Sequence, residues 1–279
     1  MRHSPKIIEK IIKLRKNGFT ITEIIFDTGL PKSTILHHIQ DIPRSDYLKE
    51  KIRLARLKAQ NRIAASRRGK SFKTYRFLKP EKWSIDLVNM LAHFIFDGSI
   101  KRTSCVYYNR SQVLVDMMIQ KMVTILHVSD YKTYMTPEGV KRISYHHVEI
   151  AAFVRRKADE LLEYISTAPM KYKISFLKAF FDDEGSITYK KNKRVVRGYQ
   201  HTLKILQIVE GLLKDIDIES KVDEKYFEIC IYKKDNLLKF QKLINFTPGI
   251  YVNGKRTNSI WKKDLEKRKI LGMALESYL

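Results

Sequence analysis

Apolar positions near the start of the chain recur at helical spacing. Ile7, Ile8, Ile11, Ile12 and Leu14 stripe the segment Pro5–Lys16, three to four residues apart as one helix face requires. Pro5 suits a first turn and Gly18 follows the last. Thr20 with Glu23 three residues on forms a capping box, ahead of a stripe of Ile21, Ile24 and Ile25. Gly29-Leu30-Pro31 then breaks the chain. Pro31 opens a third helix with Ile35 and Ile39 on its buried face and Leu36 beside them. Short helices joined by a tight glycine-containing turn make a helix-turn-helix unit, assigned to residues 1–43. Residues 44–82 differ: Ile52, Leu54, Leu57 and Ile63 stand isolated among cations. They predict a long exposed helix ending near Gly69, with an extended stretch beyond it.

From residue 83 the pattern occurs twice. With Asp97 placed over Glu184, an ungapped offset of 87, Ala92 falls on Ala179, Phe94 on Phe181, Gly98 on Gly185, Ser99 on Ser186 and Ile100 on Ile187. Met118, Ile119, Met122, Ile125 and Leu126 fall on Ile205, Leu206, Val209, Leu212 and Leu213; Tyr145 falls on Tyr232, and Phe153 on Phe240. Each copy predicts a helix, a strand pair, a helix, a second strand pair and a last helix. Antiparallel strands with helices on one face make an α+β fold. The expected architecture is two pseudo-symmetric αββαββα half-domains, residues 83–169 and 170–246, preceded by the all-α unit and followed by a basic tail at 247–279.

Charge narrows the function. Lys and Arg number 54 against 30 Asp and Glu, a formal net charge of +24. Such a surplus attracts polyanions, and releasing counterions from phosphates favours nucleic acid. Residues 44–82 hold 14 of those cations and three acids, Asp46, Glu50 and Glu81, which suits a phosphate-tracking linker or a solvated face. No apolar stretch approaches a membrane span, and the first ten residues lack the apolar run of a secretion signal. The expectation is a cytoplasmic protein, nucleoid-associated in a prokaryote, with Cys105 and Cys230 as buried reduced thiols.

The segment from Ile11 to Ile39 resembles the helix-turn-helix of resolvases and small transcription regulators. In that unit the third helix enters the major groove, which here makes Lys32, Ser33, Thr34, His37 and His38 candidate contacts to bases and phosphates. The adjacent histidines do not face each other on a helix and are not read as a metal site.

LAHFIFDGSI and LKAFFDDEGSI resemble the motif of the LAGLIDADG homing endonucleases, over about residues 83–246. The resemblance implies two motif helices packed along a pseudo-twofold axis, with Ala92 and Ala179 allowing close approach. It implies that Asp97 and Glu184 project into a catalytic centre holding Mg²⁺, with carbonyls near Gly98 and Gly185 completing the coordination. Lys233 matches the family's basic residue, and His146 stands at the same offset in the first half. Asp182 matches an earlier acidic position; Ile95 replaces it in the first motif, where His93 takes a usually apolar place. Chemically, a hard divalent ion is held by one or two carboxylates with phosphate and water. An acid at a helix C-terminus opposes the dipole, so two of them predict a cation nearby.

With Ile100 and Ile187 facing the helices, alternation turns Ser99, Lys101, Thr103, Ser186, Thr188, Lys190 and Asn192 toward a groove. Lys190, Lys191, Arg194 and Arg197 lie in a strongly basic hairpin, a candidate phosphate grip. The leading expectation is a monomeric, sequence-specific double-strand DNA endonuclease. The alternatives are a non-catalytic transcription regulator, since a family of bacterial sporulation regulators resembles this combination with its helix-turn-helix at the other end of the chain, and an RNA-intron maturase.

Overall fold

The computed structural model describes residues 4–67, 76–190, 193–254, 261 and 263–278, and the chain divides after residue 75 into two units. In the first, α1 (Pro5–Lys16), α2 (Ile21–Thr28) and α3 (Lys32–Ile39) enclose a core of Ile11, Ile24, Ile35 and Ile39. The capping box forms in full: the Thr20 amide donates to Glu23 Oε2 at 2.8 Å, and the Glu23 amide donates to Thr20 Oγ1 at 3.3 Å.

A fourth helix, α4 (Asp46–Arg67), begins within this unit. Leu48 is fully buried, and Lys51 pairs with Glu23 at 2.8 Å. That ammonium's hydrogen bond, with the Thr20 amide, holds the Glu23 carboxyl down at about 2. The first turns of α4 are therefore tied to the helical unit, whereas Leu54, Leu57 and Ile63 stay exposed. The expected helix end near Gly69 lies outside the described residues.

The second unit runs α5 (Ile85–Phe96), β1 (Gly98–Ile100), β2 (Cys105–Asn109), α6 (Gln112–Leu126), β3 (Lys132–Met135), β4 (Lys141–Tyr145), α7 (Val148–Tyr164), α8 (Met170–Asp183), β5 (Gly185–Lys190), β6 (Lys193–Tyr199), α9 (Leu203–Asp215), β7 (Lys221–Asp223), β8 (Glu228–Ile231) and α10 (Lys234–Leu243). The two antiparallel sheets have the same order, β1-β2-β4-β3 and β5-β6-β8-β7. The protein is α+β, with the element sequence repeated.

The repeat does not keep one offset. Gly98 faces Tyr107 across its hairpin and Gly185 faces Gly198, an offset of 91 between Tyr107 and Gly198, because the second hairpin is four residues longer. The buried stripe Val115, Met118, Met122 of α6 then matches Leu206, Val209, Leu213 of α9. In the second strand pair Ile143 faces Tyr107 and Ile229 faces Gly198, so the offset falls to 86 and Tyr145 corresponds to Ile231 instead of Tyr232.

α5 and α8 pack side by side with Ala92 and Ala179 fully buried. The Asn89 amide donates to the Ser175 carbonyl at 3.2 Å, Ser175 Oγ to the Ile85 carbonyl at 3.1 Å, and Tyr172 Oη to the Trp83 carbonyl at 2.9 Å. Phe96 meets Phe176 and Phe180 edge to face. These polar links set the register of an otherwise apolar contact.

The segment expected as a basic tail is part of the second half instead. After α10 come the short paired strands β9 (Tyr251–Val252) and β10 (Leu265–Glu266), then α11 (Lys267–Glu276). Ile270, Leu271, Ala274 and Leu275 of α11 are buried, against β5 and α10. Its cations hide this apolar stripe in a composition count. Cys105 and Cys230 are buried and unpaired by disulfide. Among the described residues no helix is long and apolar enough to cross a membrane.

Gly198 marks where α8 presses on its sheet. A Cβ there would lie 2.2 Å from Cε1 of the fully buried Phe180, which has no room to retreat. Gly198→Ala is expected to cost about 2–3 kcal/mol, as overpacking does, measured by urea unfolding of the full chain.

Candidate active site

α5 and α8 each hand over to a strand through an acidic residue. Asp97 and Glu184 are the C-cap residues of the two helices, their amides bonded back to the carbonyls of His93 and Phe180. The following glycines are required by contact: a Cβ on Gly98 or Gly185 would fall 2.2 or 2.1 Å from the carbonyl oxygen of Phe94 or Phe181. Each acid receives an amide from the end of the second strand of its hairpin. Asn109 Nδ2 donates to Asp97 Oδ2 at 2.8 Å, and Gln200 Nε2 to Glu184 Oε1 at 3.5 Å.

Burial is the main force on this pair. It raises Asp97 to about 7, with the nearby Asp183 carboxyl adding to the effect. Glu184 rises to about 8 through burial, then through Asp97 and Asp183. Asp97, from the first half, therefore acts on Glu184, from the second.

The run Asp182-Asp183-Glu184 sends three carboxyls in three directions. Asp182 accepts from the Thr247 amide at 2.7 Å and from Thr247 Oγ1 at 2.6 Å. Asp183 reaches into the first half: Tyr107 Oη donates to it at 2.7 Å, Asn109 Nδ2 at 3.2 Å, and His93 Nδ1 lies 2.7 Å away. Both His93 and Asp183 are wholly buried. Burial drives His93 down to about 4 and Asp183 well above its usual range. The contact has ion-pair geometry, but desolvation of both charges favours a neutral pair sharing one proton. His93 Nε2 is buried without a hydrogen-bond partner among the described residues.

The other expected site residues lie elsewhere or act differently. Lys233 caps α10, is exposed, and pairs with Glu219 at 2.7 Å. His146 is exposed, with Nε2 3.1 Å from Ser144 Oγ. Neither contacts Asp97 or Glu184 among the described residues. Gly98 is paired with Tyr107 in the strand ladder, and the Gly185 carbonyl accepts a hydrogen bond from Lys267 Nζ at 2.7 Å. Lys267 is a buried cation beside this centre that the sequence did not single out. It sits inside a basic run, next to the apolar stripe of α11.

On the sheets, Ser99 pairs with Val106, and Val106 with Ser144, which faces Lys132. Lys132 and Arg142 thereby join Ser99 on the face turned away from the helices, two residues the sequence pattern left unassigned. Lys101 and Thr103 lie in the exposed turn after β1. Ser186, Thr188 and Lys190 occupy the face opposite buried Ile187, with Arg197 across from Ser186 and 3.9 Å from Glu228. Arg194 is the correction: it faces Tyr189, donates to Ser277 Oγ at 2.7 Å and stacks on Tyr278. It therefore anchors the end of α11. Lys191 and Asn192 lie outside the described residues. On α3, Lys32, Ser33 and His37 are exposed, while Thr34 and His38 are half-buried.

Among the described residues no cluster of three or more His, Cys, Asp or Glu is placed to hold a metal. Asp97 and Glu184 nevertheless fit a hard ion that takes two carboxylates and completes its shell with phosphate and water. Their raised values come chiefly from burial, and Lys267 offsets part of the rise. The Gly185 carbonyl does not join that set, because an ammonium already lies on it.

Residues 171–245 match the model of the LAGLIDADG-like domain family, and the first half repeats the element order of the second. No curated protein matches the chain in sequence. Among solved structures, a variant of I-DmoI in complex with its target DNA in the presence of manganese is similar over 57% of this chain and 93% of its own, at 17% identity and a TM-score of 0.47. The N-terminal LAGLIDADG domain of DUF199/WhiA is similar over 61% of this chain and 87% of its own, at 15% identity and a TM-score of 0.46. For full-length DUF199/WhiA from Thermatoga maritima the shares are 61% and 58%, at 14% identity and a TM-score of 0.44.

The raised acids make stability depend on pH. Unfolding returns each carboxyl to about 4, so between about pH 4 and the folded values the native state holds the extra protons. Their contribution is complete at low pH and is lost as pH rises through about 7 to 8. In chelator, Asp97→Asn is expected to raise the melting temperature relative to wild type more at pH 8 than at pH 5. Equal shifts at both pH values would rule out the raised carboxyl.

Proposed function

We propose that the chain is a sequence-specific, metal-dependent DNA endonuclease of the homing type. The observation that carries this reading is the pair Asp97 and Glu184: one carboxylate from each half, at the ends of two packed helices, both raised chiefly by burial. Hydrolysis of two opposed strands requires one reactive centre related to both, and a pseudo-symmetric single chain provides that as a monomer. The net charge of +24 and the polar, basic outer sheet faces suit duplex DNA as the substrate. The helix-turn-helix unit adds a second binding module, which raises affinity through effective concentration.

Asp97 and Glu184 would hold a divalent ion such as Mg²⁺. When bound, that ion would activate water and steady the leaving oxygen. Asn109 and Gln200 orient the two carboxylates. The clasp of His93, Tyr107 and Asn109 on Asp183 fixes one half against the other. A second reading, a non-catalytic DNA-binding regulator on the same fold, is favoured by one observation: Lys267 already lies on the Gly185 carbonyl.

On a selected duplex target, wild type is expected to cut with Mg²⁺. Asp97→Asn and Glu184→Gln should each lose about a thousandfold or more in rate, at about 1.4 kcal/mol per decade, while affinity in Ca²⁺ changes little. Gel-based cleavage with binding followed in parallel checks this; wild type that binds tightly and never cuts favours the regulator. Duplex affinity should fall steeply with salt, since each phosphate contact releases a counterion. Deleting residues 1–41 should shorten the footprint, and an unchanged footprint removes the helix-turn-helix from recognition.

A further inference from the structure

Lys267 is the first residue of α11, beyond both acidic motifs, yet it belongs to their centre. Its side chain is buried, with 9% of the residue exposed. Nζ donates to the Gly185 carbonyl at 2.7 Å, lies 3.4 Å from the Asp182 carbonyl, and stands over the Phe246 ring. Its backbone amide is held by the Ile250 carbonyl at 2.8 Å, so the lysine is placed from both ends. Burial lowers its pKa, while Asp182, Asp183, Asp97 and Glu184 pull it back up. The direct hydrogen bonds of the ammonium go to the two carbonyls, and the four acids favour its charged form through space.

The position has a second meaning. The carbonyls of Asp182 and Gly185 lie at the C-terminal end of α8, where the helix dipole is negative and three consecutive carboxyls add to it. The first half ends α5 with one acid, and between α7 and α8 it has only the short 3-10 turn Ile165–Thr167, with no counterpart of α11. Among the described residues, the buried ammonium sits at the end with three acids.

We propose that Lys267 is the built-in counter-cation of the acidic centre, its ammonium filling at the α8 end the place a divalent ion would otherwise take, so that the centre folds without added metal. This role holds whether or not the chain cuts DNA, and its test reads stability.

The experiment is thermal unfolding of the full chain in chelator and in Ca²⁺. Wild type is expected to melt within about 2 °C in the two conditions. Lys267→Met keeps the length of the stem and removes the charge. It should melt at least about 5 °C lower in chelator, and Ca²⁺ should recover half or more of that loss. The double variant Lys267→Met/Glu184→Gln, which also removes a negative charge, should be more stable in chelator than Lys267→Met, a non-additive pairing. It serves as well where Lys267→Met does not fold alone. Three results overturn the proposal: wild type that gains strongly from Ca²⁺, Lys267→Met that matches wild type in chelator, or a loss that neither Ca²⁺ nor Glu184→Gln relieves.

Discussion

Two helices that approach closely must align more than their side chains. α5 and α8 pack together with Ala92 and Ala179 fully buried, and the bonds from Asn89, Ser175 and Tyr172 fix how far each slides along the other. Because both end at the same level, their negative dipole ends meet, and each end carries an acid. The burial that raises Asp97 and Glu184, and the effect of Asp97 on Glu184, follow from that contact. Were the helices held apart by larger residues, Asp97 would no longer act on Glu184.

Much of this was legible in the chain. Helix periodicity is local, so α1 to α3 and the two motif helices could be read directly, and the capping box at Thr20 needs only four residues to specify it. The repeat was legible as a pattern but not as a register. Apolar spacing tolerates a shift of four residues, about one helical turn, so an ungapped offset passed through α6 and α9 although the second hairpin is longer. That slip had a chemical cost. Lys233 was matched to His146 at offset 87, whereas at the observed offset of 86 the counterpart of His146 is Tyr232, and Lys233 turns away to Glu219.

Other features were invisible for a different reason. Nothing near Asp183 in the chain announces His93 or Tyr107 as partners, since they lie about 90 and 76 residues away; only the fold brings them together. His93 in a usually apolar place was the one visible trace of that clasp. Lys267 and Arg194 were hidden by abundance. Among 54 Lys and Arg, nothing local in the sequence sets apart the two that hold α11 in place.

The clasp on Asp183 has a direction. The acceptor belongs to the second half and its three partners to the first; at the matching motif position the first half has Phe96, and across its hairpin the second has Gly198 where the first has Tyr107. Two copies of the second half would present Asp183 with Phe180 and Gly198 in place of His93 and Tyr107, in a buried space where an unmet polar group is costly. The two halves are complementary parts, and neither can stand in for the other in a symmetric pair.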